Sequence, residues 1–199
     1  MDHEMRRIAV RVSPDALRQI RAGHPWVFDG AIRSLSHDDE PGTLAVVFDD
    51  KRRFAAIGLY DPTSPIRVRI LHAGAPRTID DDFWTEQLVA ALDRRAELAD
   101  DGETTGYRCV HGENDGFPGL VVDRYDTTAV IKIYTAAWLP HLPALVRILD
   151  DLLPVDRIVL RRGRNVGPDV GATMMLGDRP VGPVTFFERG LRFEADVVE

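Results

Sequence analysis

Apolar and polar side chains alternate over residues 6–12, with Ile8, Val10 and Val12 on one side and Arg7 and Arg11 on the other, which predicts a strand. Ser13-Pro14-Asp15 then supplies a helix cap with proline at the first helical position, so a short helix is expected to about Ile20, ended by Gly23-His24-Pro25. Brief extended pieces at 26–28 and 32–35, strands at 44–48 and 54–60 around the charged turn 49–53, and a strand at 66–71 complete the first region. Many short strands with one short helix predict a small β-barrel-like domain over residues 1–75. In residues 76–199 the period changes. Phe83, Leu88, Ala91, Leu92 and Leu98 recur at helical spacing over 80–99, behind the acidic start Asp80 to Asp82. Strands are expected at 107–110, 120–125, 129–134 and 157–161, a second amphipathic helix at 139–153, an irregular stretch at 162–176, and a hairpin of 184–188 with 191–198 across Arg189-Gly190. The fold class is therefore mixed α+β: a small barrel followed by an α+β domain with an antiparallel sheet and two main helices.

Charge changes this picture more than composition does. The 199 residues carry a formal net charge of -7, which by itself disfavours nucleic acid as a partner. Residues 1–75 are nevertheless net +1 and residues 76–199 net -8, so the first region is the better candidate to meet phosphate. Only Lys51 and Lys132 are lysine, and arginine offers the planar fork suited to phosphate and base edges. No apolar run reaches the roughly 20 residues needed to span a bilayer, and residues 1–10 do not read as a secretory signal, so no membrane partner is expected and the cytoplasm is the expected compartment. Cys109 is the single cysteine, which excludes an internal disulfide and a cysteine-rich zinc site.

Several residues could carry chemistry. Cys109, His111, Glu113 and Asp115 recur at two-residue spacing, which on an extended strand would aim them one way, towards a metal or a hydrolytic centre. Gly112 and Gly116 interrupt that strand, so a turn whose backbone N–H groups are satisfied by these side chains is the competing expectation, with Cys109 buried. No metal site and no catalytic residue are assigned. The glycines of 163–167 lack both a phosphate-loop lysine and a dinucleotide fingerprint, leaving the Arg161-Arg162-x-Arg164 run as an RNA contact or a solvated basic turn. The aromatic cluster at 24–28 follows Arg18 and Arg21; Trp26 and Phe28 are expected chiefly in the barrel core, while Arg18, Arg21, Gly23, His24, Arg67 and Arg69 are candidate RNA contacts.

Three stretches carry a family resemblance: GHPWVFDGAI at 23–32, YRCVHGENDGFPGLVVDRY at 107–125 and VTFFERGLRFEADV at 184–197. The sequence resembles class I methyltransferases that modify cytosine C5 of large-subunit ribosomal RNA and begin with a PUA domain. That resemblance implies a PUA-like RNA-binding domain at 1–75, a central domain at 76–199, and a C-terminal Rossmann-type domain that is absent from these residues. It also implies that S-adenosyl-L-methionine and the catalytic cysteines belong to the absent domain, so no cofactor and no nucleophile are expected here. Arg108, Glu113, Asp115 and Asp123 fall in the central signature, where they would order a turn or help to present RNA. The implied function is the RNA-positioning part of a transferase acting in rRNA methylation, with large-subunit rRNA as partner. The alternative is a stand-alone PUA-type RNA-binding or ribosome-assembly protein without catalytic activity. The alternation of Leu191, Phe193, Ala195 and Val197 close to residue 199 favours a chain that continues. A homodimer is compatible with the sequence.

Overall fold

A computed structural model describes residues 6–164, 166–167 and 171–198. Two units divide the chain: Met1–Thr78 with Thr135–His141, and Ile79–Tyr134 with Leu142–Glu199.

The first unit holds β1 (Arg7–Val12), α1 (Pro14–Arg21), β2 (Trp26–Phe28), β3 (Ile32–Leu35), β4 (Leu44–Phe48), β5 (Phe54–Tyr60) and β6 (Ile66–Ala73). Its sheet runs in the order β2-β6-β5-β4-β1-β3, antiparallel except for the parallel pair β1/β4. The two edge strands, β2 and β3, are consecutive in the chain and joined only by the 3-10 turn Asp29–Ala31. Six flat strands would place those edges about 24 Å apart, whereas the link can span at most about 14 Å. The sheet must therefore curl into a half-barrel. Helix α1 begins where Ser13 accepts a hydrogen bond from the Ala16 N–H at 3.2 Å, and it turns Ala16, Leu17 and Ile20 inward. They join Ile8, Val10, Val12, Val27, Val47, Tyr60 and Val68 in the core; Leu17 and Ile20 each contribute roughly 2 kcal/mol by burial.

The segment 135–141 belongs to this unit although its sequence neighbours lie in the other. It forms a 3-10 turn, Ala136–His141, where the periodicity predicts the start of a helix. Thr135 donates to the Asp61 carboxylate, and the buried His141 Nε2 lies 2.9 Å from the Gly42 carbonyl oxygen.

The second unit contains α2 (Asp81–Asp93), α3 (Ala96–Asp100), β7 (Gly106–His111), β8 (Leu120–Tyr125), β9 (Thr128–Ile133), α4 (Leu142–Leu152), β10 (Arg157–Arg162), β11 (Thr173–Leu176), β12 (Val184–Glu188) and β13 (Leu191–Ala195). The five-stranded sheet has the order β11-β10-β9-β8-β7, antiparallel except at β9/β10. That pair is parallel because the chain returns through α4. Val110, Val122, Ile131 and Leu160 lie opposite one another as a buried row, with α2 packed on α4 and on β7. The expected helix 80–99 is instead two helices. Its break falls at Arg94 and Arg95, whose guanidinium groups both turn to Asp115. Strand β11 lies inside the stretch read as irregular; Thr173, Met174 and Leu176 pair with β10 despite the weak local pattern.

Candidate nucleic-acid interface

Strand β2 presents the aromatic cluster by simple alternation. Val27 points into the barrel and is 1% exposed, while Phe28 on the opposite side is 47% exposed and Trp26 half-buried. This corrects the expectation that Trp26 and Phe28 fill the core: an edge strand with one inward residue needs only Val27 for that. His24, Trp26 and Phe28 instead form a stripe of rings, with centroids 5.9 Å apart for His24/Trp26 and 6.3 Å for Trp26/Phe28. The His24 Nδ1 lies 3.1 Å from the Trp26 carbonyl oxygen, which fixes the first ring. Gly23 reaches φ +91, and a Cβ there would meet no atom within 4 Å, so its role is to turn the chain off α1 and leave the surface open.

The basic candidates separate into three environments. Arg18 is exposed and pairs with Asp15 within α1. Arg21 reaches Asp49 at 3.5 Å, and Arg53 engages the same carboxylate at 2.8 Å. Arg11 pairs with Asp50 at 3.6 Å, and Lys51 and Arg52 occupy the same turn. Three arginines thus pair with two carboxylates there, and Lys51 and Arg52 add two more basic residues to the turn. Hydrogen bonds from the Arg53 backbone, its side chain and the Lys51 N–H hold the Asp49 carboxyl below the usual carboxylate range. Arg21, Asp49, Arg53 and Phe54 line a polar groove of about 450 Å³. Sequence reading singled out only Arg21 of this group; three consecutive basic residues in one turn were the available signal.

Arg67 and Arg69 do not form a basic surface together. The Arg67 guanidinium is held by Asp29 at 2.7 Å and by the Pro62 carbonyl, at one end of the aromatic stripe. Arg69 is 5% exposed; it donates to the Ile66 carbonyl at 2.9 Å and to Ser64 at 3.2 Å, with Asp61 at 3.8 Å. Burial works against the Asp61 charge, but hydrogen bonds from Thr135 and Thr63 and the Arg69 charge hold its carboxyl below the usual range. Arg69 is an internal anchor here, because the segment carrying Thr135 packs with this unit, an arrangement no local pattern announces.

In the second unit the signature residues part company. A bulge at Cys109 shifts the β7/β8 register, so Arg108 opposes Asp123 while Val110 opposes Val122. Cys109 is thereby fully buried and its thiol is pushed up to about 12 by burial, which leaves no thiolate for nucleophilic work. His111 and Glu113 are exposed, and Asp115 is buried. Asp115 accepts from the His111 N–H at 2.7 Å and pairs with Arg94 at 2.8 Å and Arg95 at 2.7 Å. Burial raises its pKa, but the Arg95 bond, the His111 N–H and the two charges outweigh this and hold it below the usual range. The Arg108 guanidinium grips Asp123 at 2.8 and 3.2 Å. No cluster of metal-ligating residues occurs among the described residues, and no helix there is long and apolar enough to cross a membrane.

The exposed aromatic stripe and the basic turn lie on a small half-barrel, and residues 10–73 match the model of a PUA-like domain. The whole chain has relatives as well. It is 48% identical over 201 aligned positions to a ribosomal RNA large subunit methyltransferase of Deinococcus radiodurans, covering 96% of this chain and 49% of that protein. The ribosomal RNA large subunit methyltransferase I of Photobacterium profundum is 32% identical, covering 91% of this chain and 47% of that protein. Among solved structures, a protein described as a SAM-dependent methyltransferase from Streptococcus mutans superimposes with a TM-score of 0.81 at 14% identity, over 96% of this chain and 49% of that one. The chain is thus homologous to the PUA-containing part of the bacterial ribosomal RNA large-subunit methyltransferases, and it spans about half the length of the curated relatives it matches. No Rossmann-type methyltransferase domain occurs among the described residues.

Proposed function

We propose that this chain is the RNA-recognising and positioning part of a cytoplasmic, S-adenosyl-L-methionine-dependent methyltransferase acting on cytosine C5 of large-subunit rRNA. The reading is carried by the homology, which runs through both units. The surface of the first unit supports it: Phe28 and His24 offer faces for stacking, and Arg18, Arg21 and the basic turn offer charges for phosphate. In this proposal residues 1–75 recognise RNA and residues 76–199 form the central domain. Arg67 orders the edge of the stripe through Asp29 rather than reaching phosphate freely.

The cofactor does not fit the residues present. Val166 bonds back to the Gly163 carbonyl at 2.9 Å, and the next described element is strand β11, so these glycines do not open a helix that could receive a nucleotide. Methyl transfer is therefore assigned outside these residues. The test is fluorescence anisotropy of the 199-residue chain with large-subunit rRNA fragments at 50 and 200 mM salt. Binding that weakens steeply with salt is expected, by about tenfold or more for three or so phosphate contacts. Absence of binding at the lower salt would reject the reading.

A further inference from the structure

Residues 76–199 carry net charge -8, yet one face of the second unit's sheet collects basic and aromatic side chains. The strand registers place them. Arg161 lies opposite Lys132, Lys132 opposite Val121, and Val121 opposite His111, which makes one cross-strand row. Arg108, Asp123, Val130 and Val159 form the next row on the same face. Val130 and Val159 are covered by Val184 and Val197 of the C-terminal hairpin region, whereas Arg108, His111 and Tyr134 stay exposed. The face is therefore closed at one end and open at the other.

At the open end Tyr134 is 50% exposed, with the Lys132 ammonium 5.4 Å from its ring centroid. Gly163 makes room for that ring: its N–H bonds to the Ile133 carbonyl at 2.7 Å, and a Cβ there would stand 3.3 Å from the Tyr134 ring. Tyr125, two residues from Asp123 on the same side, lies within electrostatic reach of Asp123, Arg108, Arg161 and Glu188. Asp123 is already engaged by Arg108, and Glu188 stands on the hairpin. In an otherwise acidic region this leaves Lys132 beside an exposed ring, with Arg161 opposite Lys132 on the neighbouring strand.

We infer that the open sheet face formed by Arg108, Lys132, Tyr134 and Arg161 is a second RNA-binding surface, which takes an unstacked, single-stranded segment. A base stacks on Tyr134, and Lys132 and Arg161 meet the flanking phosphates, the combination by which single-stranded nucleic acid is held without base-edge readout. Charge complementarity selects the occupant, since a polyanion fits this face and an acidic surface of a second copy would meet it less completely. The inference rests on the RNA reading above but uses none of the residues of the first unit.

The experiment compares variants of the 199-residue chain, matched in thermal stability, for binding to a fluorescent single-stranded RNA of about 12 nucleotides. Tyr134→Ala is expected to weaken binding about tenfold, and Tyr134→Phe, which keeps the stacking face, to stay within about twofold. Lys132→Ala with Arg161→Gln should also lower the slope of log affinity against log salt by about 1.4. Phe28→Ala with Arg21→Gln tests the first unit separately. If only that pair weakens binding, the second surface is overturned and the first stands; if only the Tyr134 and Lys132/Arg161 variants do, the reverse holds. No binding by the parent chain at low salt overturns both. If light scattering shows a dimer that the Lys132/Arg161 pair dissociates with RNA affinity unchanged, the face joins two copies and the inference falls.

Discussion

The motifs at 23–30 and 112–119 are both bounded by glycine, the first rich in rings and the second in polar side chains, and their functional groups differ in whether they face solvent or the interior. In the first, Val27 alone is buried, the Phe28 ring is left to solvent and the His24 ring is half-buried beside it. In the second, Asp115 goes inward and is met by two arginines and a backbone N–H, so the motif ties the end of α2 to the turn after β7. A buried carboxylate so surrounded holds structure, because its partners would be left with uncompensated charge if it were removed. An exposed ring with a solvated face contributes little to stability and is available to a ligand. Direction, more than residue type, separates the surface that binds from the joint that supports.

The most severe way to break this contrast is Asp115→Ala. It strands Arg95, whose side chain is 15% exposed, and unties the His111 N–H. A loss of about 3 kcal/mol in unfolding free energy is expected in urea titrations, with RNA binding through the first unit unchanged at temperatures where the chain is folded. A loss below about 1 kcal/mol would show that the motif is not a structural joint.

The converse substitution is Phe28→Ala with His24→Ala. Phe28 sits on the outside of β2 and His24 is half-buried just before it, neither in the barrel core, so the change in stability should stay within about 1 kcal/mol, while affinity for rRNA fragments falls about tenfold through lost stacking. If stability fell and affinity did not, the stripe would be packing and the contrast would collapse.

These two motifs also mark what could be read from the chain. The strands and α1 were legible because alternation and capping are local, and β8 is observed at the bounds the pattern gives, 120–125. The charge asymmetry pointed to the first unit, where Arg18, Arg21 and Gly23 are exposed and His24 is half-buried. What escaped depends on contacts distant in sequence. Arg69 alternates with Val68 as a solvent-facing residue should, but it is bound to an aspartate that Thr135 also holds. Arg94 and Arg95 look like mid-helix residues until Asp115 is placed beside them. Arg161 comes opposite Lys132 only through the parallel pairing of β9 with β10.

The smallest effect expected concerns a second inward polar group, His141, which serves the first unit as Asp115 serves the other. Burial holds its imidazole below the ordinary histidine range, so it is neutral in the fold, and its Nε2–H donates to the Gly42 carbonyl. Unfolded, it takes up a proton near pH 6.5. Below that pH the unfolded chain therefore binds more protons than the folded one, and the stability His141 provides is complete above about pH 6.5 and declines as the pH falls towards the folded value. One such group changes the unfolding free energy by at most about 1.4 kcal/mol per pH unit. Between pH 7.5 and pH 5.5 the melting temperature should fall for the parent chain and fall less for His141→Gln, which keeps an N–H donor but cannot titrate. The carboxyls of Asp61 and Asp115, held below the usual range, add their own acid sensitivity only at still lower pH, so the two-point comparison isolates the histidine. Equal falls in both proteins would mean that His141 takes up its proton in the folded state, and that the segment carrying it is not sealed against the half-barrel as Asp115 is sealed in the other unit.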